Sequence, residues 1–188
     1  MKKFIIFFLM SGYIINIYAK EDPEILKIRN LYQKWQPYIN SNLNNGIKFY
    51  LYLSGERFEI ETWSDKKLNN EDLFLHCMVT CLENKDLGYF IYREYFTPSG
   101  DWFITQENYY SPDGFLYFIF WKMNSYQANP PVTVEKRLYF NNSQKLIREL
   151  KNVYKMNTKE KVEATYNDRE VEYEIKINKL GFYRYWKK

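Results

Sequence analysis

The spacing of apolar residues predicts one helix near the start of the chain. Apolar residues within 24–39 recur at intervals of three and four, as on the buried face of an amphipathic helix: Ile25, Ile28, Leu31, Tyr32, Trp35 and Ile39. Asp22 followed by Pro23 suits a helix start, since aspartate caps and proline fits the first helical position. Pro37 lacks the amide hydrogen that a helix interior needs, so we expect the helix to end or bend near Trp35.

From Ile47 onward, apolar residues recur with a period of two, which is typical of strands with one buried face. The runs that predict strands are 47–53, 58–62, 73–82, 89–96, 102–110, 115–123 and 132–140. Turn sequences such as Pro112-Asp113-Gly114 separate them; proline presets one dihedral angle there, and glycine tolerates a positive φ. Short strands joined by short turns indicate an antiparallel meander.

The C-terminal part of the pattern is mixed. Apolar residues in 146–154 fit a helix capped by Ser143 and also fit a strand, so both remain open. Residues 171–177 alternate strictly between apolar and charged and predict a strand. Together these elements predict a single α+β domain over residues 20–188. Its N-terminal helix packs on an antiparallel β-meander sheet of six or more strands, which could be strongly curved.

Residues 1–19 have the parts of a bacterial secretory signal peptide. Lys2 and Lys3 precede an apolar stretch of about 14 residues, and the small Ala19 stands before a polar segment. This stretch is shorter than the roughly 20 residues of a transmembrane helix. We therefore expect cleavage after Ala19 and export to the periplasm or the medium, with no membrane span left in the mature chain. An uncleaved N-terminal anchor is the alternative.

Composition argues against several classes of function. The net charge is +4, or +2 without Lys2 and Lys3, and basic residues are spread among acids, which gives no footprint for nucleic acid. One histidine and two cysteines leave too few ligands for a zinc site, and no cofactor motif occurs, so we predict neither metal nor cofactor. Aromatic residues make up 20% of the chain, which favours an aromatic surface for packing or binding.

An internal repeat occupies the central hairpins. Residues 95–102 align with 109–116, and 139–146 follow more loosely, with Gln144 where the first two units have glycine. Each unit has two aromatic residues, a four-residue turn, one variable residue and a large apolar residue. Over about residues 89–150 the pattern resembles the MORN-variant hairpin repeats of exported bacterial proteins. This resemblance implies a structural or binding role rather than a catalytic one; ordinary meander hairpins are the alternative.

His76 and Cys77 are adjacent in sequence, as in a candidate catalytic pair, but strand geometry argues against that role. Neighbouring strand residues point to opposite faces, and a thiol nucleophile needs a base within hydrogen-bond reach. A disulfide between Cys77 and Cys81 depends on the same geometry. A helix brings such positions to about 5–6 Å, whereas a strand separates them beyond the roughly 7 Å limit. The stretch fits both elements, so a bridged and an unbridged pair remain open.

Residues 115–121 are apolar on both faces, unlike a strand that is buried on one side. Alternation places Phe115, Tyr117, Ile119 and Trp121 on one face and Leu116, Phe118 and Phe120 on the other. Either both faces are covered, or one lines an apolar groove. Tyrosines could extend such a groove, because phenol rings stack and carry a hydroxyl. The candidate ligand-binding residues are Tyr50, Tyr52, Tyr89, Tyr109, Tyr117 and Trp121.

Two functions fit these observations. The first is an exported, non-catalytic binding or interaction module, not an enzyme, whose aromatic sheet face holds a protein, a glycan or a lipid-like molecule of the cell envelope. The alternative is a cell-envelope carbohydrate hydrolase that uses paired carboxylates. Glu59 and Glu61 share a strand face and could flank a glycosidic bond, although a solvated face is the simpler interpretation. The hydrolase needs two carboxyl groups within about 10 Å across a cleft.

Overall fold

A computed structural model describes residues 22–55 and 60–187 and confirms the α+β fold, with an N-terminal helix packed on an antiparallel sheet. The described elements are α1 (Pro23–Asn42), β1 (Ile47–Ser54), β2 (Ile60–Ser64), β3 (Phe74–Asn84), β4 (Gly88–Tyr95), β5 (Trp102–Tyr110), β6 (Leu116–Ser125), β7 (Val132–Phe140), β8 (Leu146–Lys155) and α2 (Tyr183–Trp186). The predicted signal peptide with its cleavage after Ala19 lies outside the described residues, and so does Glu59.

The strand order is β2-β1-β3-β4-β5-β6-β7-β8, with every neighbouring pair antiparallel. Consecutive strands lie side by side from β3 to β8, which is the predicted meander. At the other end, β1 lies between β2 and β3, so the chain leaves the edge strand β2 and returns through residues 65–73 to pair β3 with β1. The stretch 146–154, which fitted both a helix and a strand, is the edge strand β8.

Helix α1 begins as predicted but ends later. Asp22 caps it, because its Oδ1 accepts a 2.8 Å hydrogen bond from the amide of Glu24, and Pro23 takes the first position. The prediction of an end near Trp35 is wrong, since the helix continues through Pro37 to Asn42. Ile39, beyond the proline, is buried with Trp35 against the sheet. Burying such side chains contributes about 1.5–3 kcal/mol each, which offsets the lost hydrogen bond.

Both faces of the sheet are covered. Helix α1 packs against one face, whose buried side chains come from several strands: Leu82, Phe90, Tyr109, Phe118 and Tyr139. The other face carries the larger apolar cluster and is crossed by the C-terminal segment 161–182, which we call the strap. We name the two sides the helix face and the strap face. The sequence interpretation in which the central strand β6 is covered on both sides is therefore confirmed.

The strap is extended, but the predicted strand at 171–177 is wrong. A single bridge between Phe115 and Lys176 replaces a ladder. Two strap carbonyls instead accept hydrogen bonds from side chains of β5: Gln106 Nε2 donates to Glu172 at 2.8 Å, and the Tyr110 hydroxyl donates to Glu174 at 3.0 Å. Apolar strap residues pack on the core while the glutamates stay exposed. The period of two therefore marks a one-sided extended segment.

A β-bulge in β6 changes which side chains share a face. The register with β5 pairs Tyr109 with Phe118 and then Tyr110 with Leu116, which leaves Tyr117 as the extra residue. Tyr117 consequently packs on the helix face beside Phe118, whereas Leu116 joins the core of the strap face. The predicted face is therefore wrong for Tyr117 and for Leu116, because simple alternation assumes an unbroken ladder.

The three aligned turns of the repeat have one conformation. Gly100, Gly114 and Gln144 each donate a backbone hydrogen bond to the residue three positions earlier, at 3.1, 2.8 and 2.8 Å. Their φ angles are 70°, 79° and 64°, so Gln144 adopts the left-handed conformation that glycine adopts in the other two units. The predicted hairpins are confirmed, while the kinship with MORN-variant repeats stays a prediction.

Candidate functional site

Two adjoining cavities lie between the strap and the sheet, with volumes of about 610 and 400 Å³. They share four lining residues: His76, Tyr95, Glu170 and Glu172. We call the two cavities together the strap cleft. Their volumes lie in the range of about 300–1,000 Å³ that is typical of sites for small molecules. Aromatic walls come from six side chains: Trp63, Tyr95, Trp102, Trp121, Tyr173 and Phe182.

The strap is held over β7 and β8 by a buried lysine. Lys136 Nζ donates to the carbonyl of Arg169 at 2.7 Å and lies 2.9 Å from Asp168 Oδ1. Lys151 Nζ lies 2.7 Å from the other oxygen of the same carboxylate. Burial raises the pKa of Asp168, but the hydrogen bonds from Lys151 and Lys136 outweigh it, so this pKa lies below its ordinary value. The carboxylate therefore stays charged and balances the buried lysine.

Arg93, on β4, borders the larger cavity as a second buried cation, and it is only 9% exposed. Its Nη1 donates to the hydroxyl of Tyr95 at 3.0 Å. Burial by itself lowers the pKa of Arg93, but Tyr95, Tyr110 and Cys77 raise it overall, so the group stays charged. Among the residues that the structure describes, no carboxylate forms an ion pair with Arg93 and its Nε has no hydrogen-bond partner.

A second unpaired donor lies on the strap face next to Arg93. Arg93 pairs with Gln106 across β4 and β5, and Asn108 is two residues further along β5 on the same face. Such diagonal neighbours are roughly 7–8 Å apart. Gln106 Nε2 donates to Asn108 Oδ1 at 2.8 Å, which leaves Asn108 Nδ2 without an acceptor. In the described part of the chain, Arg93 Nε and Asn108 Nδ2 are the two buried side-chain nitrogens without a partner.

Carboxylates line the mouth of the cleft. Four exposed glutamates border the cavities: Glu61, Glu170, Glu172 and Glu174. None of them forms an ion pair with another residue in 22–55 or 60–187. Lys179 and Arg169 are also on this rim. The site therefore has a buried positive charge at its floor and an excess of negative charge at its entrance.

The structure does not bring the six predicted ligand-binding residues together. Tyr50 and Tyr52 lie near each other on β1, with ring centroids 6.5 Å apart, and the Tyr52 hydroxyl accepts a 2.8 Å hydrogen bond from the amide of Leu68. Tyr89 lies on the strap face, where its ring packs edge-on against Trp186. These three tyrosines do not line the strap cleft.

The other three predicted residues lie in the centre of the sheet. Tyr109 is fully buried under α1, and its hydroxyl donates to Glu107. Tyr117 accepts a hydrogen bond from Trp35 on the same side. Trp121 lines the smaller cavity of the strap cleft, although it is only 1% exposed and Lys136 lies over its ring. Of the six, Trp121 alone borders the cleft.

The cysteines are not bridged. Cys77 and Cys81 lie four residues apart on strand β3, both buried and both free, so the disulfide that the sequence left open does not form. A strand rises roughly 3.3 Å per residue, which keeps the pair well beyond disulfide distance. Burial raises the pKa of the Cys77 thiol to about 12 and that of Cys81 still further. Both thiols are therefore protonated and unreactive.

Strand alternation predicts that His76 and Cys77 point to opposite sides of the sheet, and this prediction is wrong. The register between β1 and β3 pairs Leu51 with Cys77 and then Tyr52 with Leu75, so His76 is the extra residue of a bulge. Both His76 and Cys77 consequently line the larger cavity. His76 Nδ1 contacts the Phe96 carbonyl at 3.2 Å, while Cys77 Sγ contacts the Met78 carbonyl. These contacts do not form a nucleophile and base pair.

Sequence reasoning missed Arg93 and the strap glutamates as site residues. A signal for Arg93 was present, because it has the same phase along β4 as the buried Ile91 and a charged residue rarely occupies that phase. The glutamates alternate with apolar residues as on the solvated face of a strand, so they carried no such signal.

Three further observations bear on the class of protein. No helix within 22–55 and 60–187 is long and apolar enough to cross a membrane. The same residues bring together no group of three or more histidine, cysteine, aspartate or glutamate side chains that could hold a metal ion. Comparison of the chain with models of protein families, with curated proteins and with solved structures gives no match in any of the three.

Proposed function

We propose that this protein is an exported, non-catalytic binding module that holds a small ligand in the strap cleft. The observation that carries the proposal is the cleft itself, with volumes of about 610 and 400 Å³ beside a buried arginine that has no carboxylate partner within residues 22–55 and 60–187. Export rests on the signal-peptide pattern of residues 1–19. The ligand belongs to the cell envelope or the medium in this proposal.

The strap cleft has more space for a ligand than the helix face. Tyr109 and Tyr117 lie beneath α1, and the cavity on that face, lined in part by Tyr32 and Phe120, has a volume of about 290 Å³. Around the cleft, by contrast, Trp63, Tyr95 and Trp102 are half-buried and keep part of their ring surface accessible. A ligand that covers this surface removes apolar area from water, which favours binding by about 25 cal/mol per Å².

The carboxylates support binding more than glycoside hydrolysis. A glycosidase needs one carboxyl group whose pKa is raised so that it can act as a general acid. Burial raises the pKa of Glu107, but this residue faces α1 and accepts a hydrogen bond from Tyr109, on the opposite side of the sheet from the cleft. The hydrolase remains the alternative because Glu61 and the strap glutamates line one cleft. Release of reducing ends from envelope glycans, lost in Glu61→Gln, would favour it.

Ligand-induced stabilisation tests the proposal. The mature protein is melted with four probe classes: amino acids and dipeptides, oligosaccharides of N-acetylglucosamine, fatty acids, and nucleotides as an unrelated class. A ligand at a hundred times its Kd stabilises the fold by about 2.7 kcal/mol, which raises the Tm by several degrees. Binding should also change the emission of Trp63, Trp102 and Trp121, which line the cleft.

A variant that fills the cleft shows where the ligand binds. Val171 lies on the strap and lines the larger cavity, so Val171→Trp should abolish the ligand-induced shift. Val162 is a strap valine that packs on the same core without lining the cleft, and Val162→Trp is the matched control. The proposal fails if no probe class stabilises the protein, or if Val171→Trp and wild type respond equally.

Export is tested separately by mass spectrometry of the protein recovered from the producing bacterium. We expect a chain that begins at Lys20 in the periplasmic or medium fraction. An intact Met1 on a membrane-embedded product would contradict the exported, cleaved form.

A further inference from the structure

The strap face buries two cations that differ in their partners. Lys136 has the Asp168 carboxylate at 2.9 Å and the Arg169 carbonyl at 2.7 Å. Arg93 is buried to a similar degree, yet it has one neutral tyrosine hydroxyl as acceptor and no carboxylate partner in the described residues. An unpaired buried charge destabilises the folded protein. Such a group is therefore a candidate for pairing with a ligand.

The unpaired donor of Arg93 indicates which chemical group of a ligand would bind there. Arg93 borders the larger cavity, and its Nε has a hydrogen without an acceptor among the described residues. Ionised carboxylates and phosphates carry only acceptors, and their two oxygens match the planar fork of arginine. An oxyanion therefore matches the unpaired donor of Arg93.

The negative charge of the rim favours a carboxylate over a phosphate. Glu61, Glu170, Glu172 and Glu174 surround the entrance, while the basic side chains that line the larger cavity besides Arg93 are His76 and Lys179. A phosphate monoester, with its charge near −2, is repelled by this rim more strongly than a single carboxylate. An ammonium group is attracted to the same glutamates, and the half-buried rings of Trp63 and Tyr95 also favour a cation.

We propose that the strap cleft binds a zwitterion, namely a free amino acid or a short peptide. Its carboxylate pairs with Arg93 at the floor, and its ammonium group lies among the glutamates of the rim. This inference rests on the proposed function, because it names the ligand class of the same cleft. It adds a requirement for two opposite charges on one small molecule.

Matched probes test that requirement at low ionic strength, where rim charges act most strongly. The zwitterionic probes are L-phenylalanine and the dipeptide Ala-Phe. Phenylalaninamide keeps the amine without the carboxylate, and 3-phenylpropionate keeps the carboxylate without the amine. By isothermal titration, we expect a zwitterion to bind at least tenfold more tightly than either single-charge probe.

Failure of this inference differs from failure of the proposed function. If the zwitterions bind no better than the two single-charge probes while a saccharide or fatty acid binds in the cleft, the zwitterion inference is overturned and the binding module stands. If no probe of any class binds, both are overturned.

Variants identify which charge meets which group. Arg93→Met should fold with an unchanged or higher Tm, because it removes an unpaired buried charge. It should also bind the zwitterions and 3-phenylpropionate at least tenfold more weakly, with phenylalaninamide unaffected. Arg137→Met, on the helix face and 40% exposed, is the matched control and should change none of these affinities. Unchanged binding of 3-phenylpropionate by Arg93→Met would overturn the proposal.

Two surface variants keep the test decisive should Arg93→Met not fold. Glu172→Gln and Glu174→Gln alter exposed side chains, while the carbonyls that accept hydrogen bonds from Gln106 and Tyr110 remain. Together they should weaken the zwitterions and phenylalaninamide several-fold and leave 3-phenylpropionate unchanged or slightly tighter. If the double variant binds the zwitterions and phenylalaninamide as tightly as wild type does, an ammonium site at the rim is contradicted.

Discussion

The indole Nε1 of Trp35 donates a hydrogen bond of 2.9 Å to the phenol oxygen of Tyr117, and this bond joins the middle of α1 to the bulge of β6. Trp35 is fully buried, so its N–H cannot form a hydrogen bond with solvent water if the Tyr117 oxygen is removed. The bulge is what makes the bond possible, because an unbroken strand would turn Tyr117 towards the strap.

Tyr117→Phe should therefore destabilise the protein by about 1–3 kcal/mol, the cost of leaving a buried donor unpaired. Urea denaturation measures this change. Tyr38→Phe is the control, since the Tyr38 hydroxyl donates to the Glu83 carbonyl at an exposed position and its loss should cost no more than about 0.5 kcal/mol. Equal losses in the two variants would show that the bond to Trp35 contributes nothing.

The central strand should tolerate truncation on neither face. Phe118 packs under α1 and Trp121 under the strap, and both are buried, so we expect Phe118→Ala and Trp121→Ala each to cost about 3–5 kcal/mol. Phe120 is half-buried beneath Arg137, and its truncation should cost clearly less. Thermal denaturation of the three variants tests this order. A Trp121→Ala variant that melts like wild type would contradict the packing of the strap.

Glu107 should make the fold less stable as the pH rises. Burial raises the pKa of Glu107 above its ordinary value of 4.5, and the hydrogen bond from Tyr109 only partly opposes this. Between the unfolded and folded pKa values the folded state binds more protons, so the free energy of unfolding falls as the pH increases through that window. At pH values above that window, the free energy of unfolding stays lower by the full cost of the buried Glu107 charge.

Glu107→Gln removes that titration. The stability of the variant relative to wild type should therefore rise from acidic to neutral pH, as measured by urea denaturation at a series of pH values. Glu149→Gln, at an exposed position on β8, is the control and should show no such trend. If the difference in free energy of unfolding between Glu107→Gln and wild type does not vary with pH, the raised pKa of Glu107 is contradicted.

The thiols of Cys77 and Cys81 should not react with a thiol reagent in the folded protein. Cys77 and Cys81 are buried and their pKa values are raised, to about 12 for Cys77. Ellman's reagent at mildly alkaline pH should therefore detect almost no thiol in the native chain and two per chain in concentrated guanidinium chloride. Detection of no thiol after unfolding without a reductant would reveal a disulfide.

Two turn glycines should differ in their tolerance of alanine. Gly100 and Gly114 both have a positive φ, but a Cβ at Gly100 meets nothing within 4 Å, whereas one at Gly114 would lie 2.8 Å from Ile177 Cγ2. Gly100→Ala should cost about 1–2 kcal/mol, the left-handed penalty alone. Gly114→Ala should cost about 1–3 kcal/mol more, because it also clashes with the strap. Equal midpoints in thermal melts would contradict the close approach of Ile177.

Local pattern was enough for most of the elements, because each strand of the meander pairs with its neighbours in sequence and needs only its own period and its own turns. The three repeat turns show how far this holds. Gln144 stands where the other units have glycine, yet the hairpin forms with φ at 64°, since pairing of β7 with β8 outweighs the local preference of one residue.

The site could not be predicted in the same way. The aromatic rings of Tyr109 and Tyr117 predict a binding role, but burial beneath α1 decides their accessibility, and no property of the local sequence reports that burial. Arg93 lies opposite Gln106 only through the register of β4 and β5, and it borders the strap only because residues some eighty positions later fold back over it.

The sequence by itself determined the helix, the strands of the meander and the turns, because these depend on periodicity and on residues a few positions apart. Tertiary structure decided where α1 ends, which way Tyr117 points, that residues 171–177 form a strap, and that Arg93 lacks a carboxylate partner in the described chain. The physical reason is the same in each case. Burial, register and charge pairing are relations between distant segments, and the sheet must form before any of them exists.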